Sequence, residues 1–171
     1  DGEVEVVNVK LFGGFVVHVG RVLEGAVRLG DRLTLQVDEA RRKSLMQNHT
    51  GTHVLNYALR EVIGPDSADQ KGSLVAPDKL RFDFSAKAQV NNEQLERIEA
   101  ICQRIIEEKR PVFVKEVSLS VAKDIQGIRA VFGETYPDPV RVVSIGVPVE
   151  ELIAGINEPR TNNASIEFCG G

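Results

Sequence analysis

The chain has no tryptophan, a single methionine, two cysteines and three histidines, and aromatic residues make up only 5% of its 171 positions. Two cysteines set far apart, Cys102 and Cys169, are too few for the disulfide framework of a small secreted domain. No apolar run approaches the roughly 18 residues that a membrane helix needs, and no signal-peptide pattern opens the chain. A soluble protein of the cytosol or an organelle, without membrane contact, is therefore expected. Positive charge is not in excess either: 21 basic against 25 acidic residues give a net charge of -4. That balance argues against a domain that grips nucleic acid by bulk electrostatics, although a larger protein can still deliver such a module to RNA. The missing tryptophan also disfavours a stacking platform for single strands. Apolar residues at 42% and charged residues at 27% exclude disorder. The length suffices for one ordinary domain or two small ones.

Val4 to Val37 reads as all β. Runs at 5–7, 13–19, 26–29 and 32–37 alternate β-branched with polar residues, and Leu29-Gly30-Asp31-Arg32 reads as a tight turn. We expect residues 1–40 to be part of a small barrel acting as scaffold, with His18 a packing or surface histidine. Asp38 to Lys43 reads as a solvated connector, and Ser44 with Gln47 has the spacing of a capping box. The helix that follows carries Leu45, Val54, Leu55, Ala58, Leu59, Val62 and Ile63 and stops at Gly64-Pro65. Strands are expected at 73–75, 80–84, 112–117, 141–145 and 166–168, an amphipathic helix at 91–108 and a short helix at 121–126. Cys102 lies inside the amphipathic pattern as a buried apolar residue. Pro148 to Ser165, rich in turn formers, reads as a long surface loop beside the terminal cysteine. Strands and helices intermix without a βαβ repeat, so residues 41–171 are expected to form an α+β domain with a largely antiparallel sheet. A start without methionine and a Gly-Gly end suggest a piece of something longer.

His49 and His53 fall four apart within the expected helix, which stacks two imidazoles on one face. A chance pair is the open alternative. Cys169-Gly170-Gly171 strengthens the metal reading, because zinc accepts mixed nitrogen and sulfur donors and glycines let a backbone approach an ion. The metalloprotease motif is excluded: it requires glutamate directly after the first histidine, where this chain has Thr50.

Several segments in fixed order carry a resemblance. Met46 to His53 with Asn56 and Ala58-Leu59-Arg60, Asp69-Gln70-Lys71-Gly72-Ser73-Leu74-Val75, Leu80 to Phe84, and Phe168-Cys169-Gly170-Gly171 closely resemble the editing domain of alanyl-tRNA synthetases. Gly13 to Arg42 resembles the small barrel preceding that domain, and Glu134 to Pro148 is most similar to its eukaryotic form. The resemblance covers the whole chain. It implies one zinc ion held by His49, His53 and Cys169, with a fourth ligand, a histidine, just past the last residue. Weaker zinc binding than in a chain extended through that histidine is the expectation.

The resemblance further implies hydrolysis of Ser-tRNA(Ala) and Gly-tRNA(Ala), with ATP and alanine serving only the rest of a parent ligase, in the cytoplasm or mitochondria. Gln70 aligns with a position implicated in editing, and Thr50 and Thr52 flank the ligands. With Gln70, these two threonines are the candidate catalytic residues, Thr52 having capping or packing as its alternative. Lys71, Gly72, Arg81 and Asp83 join Gln70 as candidate substrate contacts, although Arg81 and Asp83, on one face of an alternating strand, also suit an ordinary ion pair. Lys71, Lys79 and Arg141 are candidates for terminal phosphates. A freestanding deacylase acting in trans is the nearest rival. A non-catalytic zinc-stapled RNA-binding module is the rival of another class.

Overall fold

The computed structural model describes residues 2–64, 68–130, 135–156 and 165–169. Contacts divide the chain into two compact units, Asp1–Val37 and Asp38–Gly171.

In the first unit, β1 (Glu3–Phe12) and β2 (Phe15–Glu24) form an antiparallel hairpin. Gly13 and Gly14 make its turn with φ of 55° and 82°, the left-handed pair that a two-residue hairpin loop demands and that glycine adopts without strain. The expected strands at 26–29 and 32–37 do not form, and no barrel closes among the described residues. Alternation provides a face but not a partner, and without a neighbouring ladder those backbone groups stay outside a sheet. The turn after Leu29 does form, with Asp31 Oδ2 accepting from the Arg28 amide at 2.7 Å. His18 lies exposed on β2.

In the second unit, α1 (Glu39–Ile63) starts earlier than its sequence pattern suggests. Asp38 caps it, accepting from the Arg41 amide at 3.0 Å, and Ser44 sits inside the helix, donating to the Ala40 carbonyl at 3.3 Å. The charged stretch taken as a connector is thus the helix's first turns. Its residues are good helix formers behind a strong cap, and only their exposure hid them from an argument based on apolar periodicity. Gly64 ends the helix at φ 96°.

The hairpin of β3 (Gln70–Val75) and β4 (Leu80–Phe84) and the helix α2 (Asn92–Glu107) pack on α1. Ala58, Leu59, Ala68 and Ile98 form the centre of that core, with Phe82, Phe84 and Cys102 against it. Cys102 is half-buried, and burial together with Glu99 pushes its thiol pKa up. A second sheet runs β5 (Val112–Val117), β6 (Val140–Ile145), β7 (Ser165–Phe168), all antiparallel and in that order. Its core, built on Val117, Val140, Val142, Ile166 and Phe168, is covered by α3 (Leu119–Asp124) and α4 (Val149–Ala154).

Further boundaries differ from the sequence reading: β3 begins at Gln70, three residues before its expected start. α3 spans Leu119–Asp124, two residues earlier at each end than expected, and Ser118 occupies its cap position without a side-chain capping bond. The expected loop from Pro148 opens with α4, whose buried Val149 and Leu152 face the core at helical spacing; its residues 157–164 lie outside the described residues. The class is α+β with small antiparallel sheets. No helix among the described residues is long and apolar enough to cross a membrane.

Candidate metal centre

The centre sits where α1 meets the end of β7. Helical spacing stacks His49 over His53, with ring centroids 5.2 Å apart. Gly51 between them lets the helix lie close to β4, since a Cβ there would come within 2.8 Å of Leu80 Cδ2. Asn48 fastens the same stretch by donating to the Ala76 carbonyl at 2.7 Å.

From the other side, the Cys169 amide donates to the Arg141 carbonyl at 3.0 Å, which pins the strand end. Cys169 Sγ then lies 3.3 Å from His49 Nε2. The ligand atoms of His49, His53 and Cys169 all lie within 4.8 Å of one another. Two imidazoles and a thiolate are donors that zinc favours. A tetrahedral zinc with bonds of about 2.0–2.3 Å needs donors about 3.3–3.8 Å apart, so small side-chain adjustments suffice.

Glu167, which the sequence reading did not single out, completes the surroundings. Its Oε2 accepts from His53 Nδ1 at 2.6 Å, and its Oε1 accepts from Asn56 Nδ2 at 2.7 Å. Arg60 Nε in turn donates to Asn56 Oδ1 at 3.1 Å. The signal was present: Glu167 precedes Cys169 by two, the strand repeat, and Asn56 and Arg60 continue the helical series begun by the histidines. Burial alone would lower the His53 pKa, but hydrogen bonds to Cys169 and Glu167 outweigh it and raise the value to about 9. His49 moves down, through burial first and then the charges of His53 and Arg141, against Glu167. In the metal-free site the raised pKa favours a second ring proton on His53, and an ion must displace that one, not the Nδ1–H that faces Glu167.

Gln70, at the start of β3, lines a recess with Asn56, Arg60, Arg129, Ala130, Glu167 and Phe168. The free space there, about 10 Å³, is close to that of one water molecule. Thr52 is buried and donates its hydroxyl to the His49 carbonyl at 2.7 Å, an intrahelical bond that supports the ligand turn. Thr50 is half-buried beside the ligands and Lys71 is exposed. Arg81 and Asp83 pair through three contacts, at 2.8 Å, 3.2 Å and 3.0 Å, on the exposed side of β4, while Phe82 packs inward. Gly72 abuts that carboxylate, because a Cβ on it would lie 3.0 Å from Asp83 Oδ2. The structure thus gathers the three ligands together and places Gln70 in the same recess as Glu167. Among the described residues it leaves Gly72, Arg81 and Asp83 as a separate cluster without a hydrogen bond to the triad. Gly170 and Gly171 lie outside the described residues.

No family model matches the chain. Its sequence is 56% identical over 169 residues to the mitochondrial alanine–tRNA ligase of Saccharomyces cerevisiae, and 55% identical over the same length to the alanine–tRNA ligase of Candida albicans. Identity to the cytoplasmic alanine–tRNA ligase of Bombyx mori is 52% over 169 residues. Each match covers 99% of this chain, and the chain spans 17% of the length of each relative. Identity of that order along nearly every residue, with the clustered His49, His53 and Cys169 inside it, makes the chain the counterpart of one segment of the larger alanine–tRNA ligases.

Proposed function

We propose that this segment edits: it hydrolyses the ester of tRNA(Ala) mischarged with serine or glycine and spares Ala-tRNA(Ala). The observation that carries the reading is the His49, His53 and Cys169 triad, one hydrogen bond away from a recess lined by the amides of Gln70 and Asn56. Zinc bound there would supply a Lewis acid for the ester or for a water. Aminoacylation itself, with its ATP and alanine, belongs on this reading to the remainder of the parent ligase. The proposed compartment is the cytoplasm, as the name of the Bombyx mori relative says of that protein, with mitochondria as the second possibility.

Discrimination energies explain the need for such a site. A synthetic pocket shaped for a methyl group separates near-isosteres by only about 1–3 kcal/mol. The recess reverses the logic. Gln70, Asn56 and Glu167 offer donors and acceptors in a space of hydroxyl size, so the seryl side chain satisfies them. Asn56 and Glu167 already bond to each other, so on this reading an alanyl methyl forfeits the contact to the Gln70 amide, at about 1–3 kcal/mol. Glycine leaves the space to a water, which makes the same bonds. In this scheme Thr52 holds the ligand turn, Thr50 borders the ester, Lys71 meets phosphate, and the cluster of Gly72, Arg81 and Asp83 supports the hairpin that carries Gln70.

Replacing Gln70 tests the assignment. In the zinc-loaded chain, Gln70→Ala is expected to slow deacylation of Ser-tRNA(Ala) by about 10-fold to 100-fold, the kinetic equivalent of one lost polar contact. Zinc content should stay unchanged. A wild-type rate with serine would remove Gln70 from the substrate site.

A further inference from the structure

Glu167 is the only carboxylate among the buried residues described, at 7% exposure. A buried carboxylate is costly unless both oxygens are matched, and here both are, by His53 Nδ1 and Asn56 Nδ2. The placement follows from two periodicities meeting. Along β7 and just past its end, Ser165, Glu167 and Cys169 share one face by the strand repeat. Ser165 Oγ donates to the His53 carbonyl at 3.3 Å, Glu167 takes the His53 ring, and Cys169 reaches His49. Along α1, His49, His53, Asn56 and Arg60 share one face by the helical repeat.

We propose that Glu167 is the positioning residue of the metal centre, holding the Nδ1–H of His53 so that Nε2 is the nitrogen presented to the ion, while Asn56 fixes the carboxylate's own orientation. A carboxylate is acceptor-only, so the bond to Glu167 requires the proton on Nδ1 and leaves the Nε2 lone pair free. Orienters of this kind raise the basicity of a ligating imidazole and restrict its rotation, and their loss commonly lowers metal affinity about 10-fold to 100-fold. Glu167 is not itself a ligand here, because its second oxygen is engaged by Asn56. This inference rests on the metal-centre reading and is independent of the deacylase reading.

Two measurements test it. Competition with a fluorescent zinc chelator is expected to show affinity lowered about 10-fold to 100-fold in Glu167→Gln. Nitrogen-15 NMR of the zinc-loaded wild-type chain is expected to show His53 protonated at Nδ1 and metal-bound at Nε2, a readout that a purely structural role would not dictate and that needs no variant to fold. Affinity of Glu167→Gln within about twofold of wild type, well short of the usual orienter effect, overturns the proposal, as does metal-bound Nδ1. Wild-type chain that takes up no zinc overturns the metal-centre reading along with it. Zinc bound as described without any deacylation would leave Glu167 in place and remove only the editing reading.

Discussion

Replacing Cys169 with alanine should cut deacylation of Ser-tRNA(Ala) by on the order of 100-fold or more, since a bound metal supplies several kcal/mol to such a reaction and each 1.36 kcal/mol is tenfold in rate. Cys169 provides the only sulfur in the triad and approaches His49 Nε2 at 3.3 Å. Alanine would leave two imidazoles on one helix face, which is too small a protein shell to hold zinc in a fixed geometry. Zinc content, measured by metal analysis after dialysis, should fall with the rate. In the full-length ligase, aminoacylation should persist, because the proposal puts charging outside this segment. The strand should survive as well, because the Cys169 amide, not its side chain, bonds to the Arg141 carbonyl. A variant with wild-type zinc content and wild-type deacylation would show that the sulfur is not a ligand.

The largest effect on stability is expected from Leu59→Ala. Leu59 is 3% exposed and lies with Ala58, Ala68 and Ile98 where α1 meets α2 and the β3–β4 hairpin. Truncation there removes buried methyl groups and leaves a cavity that close-packed neighbours fill poorly, costing about 2–5 kcal/mol. As α1 carries both histidines, Asn56 and Arg60, loosening its seat should also weaken zinc retention. Met46 on the same helix is 61% exposed, and Met46→Ala should stay within about 0.5 kcal/mol. Denaturant unfolding of the two variants in parallel gives the comparison. A loss for Leu59→Ala no greater than for Met46→Ala would mean that this helix is not held by that core.

Much of this architecture was readable before any coordinates. The helical spacing of Leu95, Ile98, Ile101, Cys102 and Ile105 marks α2, whose start the structure secures with a capping box of Asn91 and Gln94 that the sequence reading did not name. The β4 alternation correctly separated Phe82 from Arg81 and Asp83. Within the metal triad the histidine pair was legible because its helical spacing is local and histidine is rare in this chain, whereas Cys169, remote in sequence, was singled out by its Cys-Gly-Gly setting and the family resemblance. What escaped has a common physical origin. The first turns of α1 are solvated, so apolar periodicity could not register them, although Asp38 was available as a cap. Residues 26–37 have strand-like alternation, yet pairing depends on a neighbour that no alternation pattern names. Glu167 reads locally as a polar residue on a strand, and only the approach of α1 turns it into a buried partner for His53.

The account's central claim is that a metal held at His49, His53 and Cys169 serves a site that separates a seryl from an alanyl ester. The direct measurement is release of labelled amino acid from Ser-tRNA(Ala), Gly-tRNA(Ala) and Ala-tRNA(Ala) by the zinc-loaded chain, with and without chelator. Release of serine and glycine, sparing of alanine, and loss of activity on chelation are the predicted results. Alanine released as fast as serine, or no release above the spontaneous rate from any of the three, would contradict it.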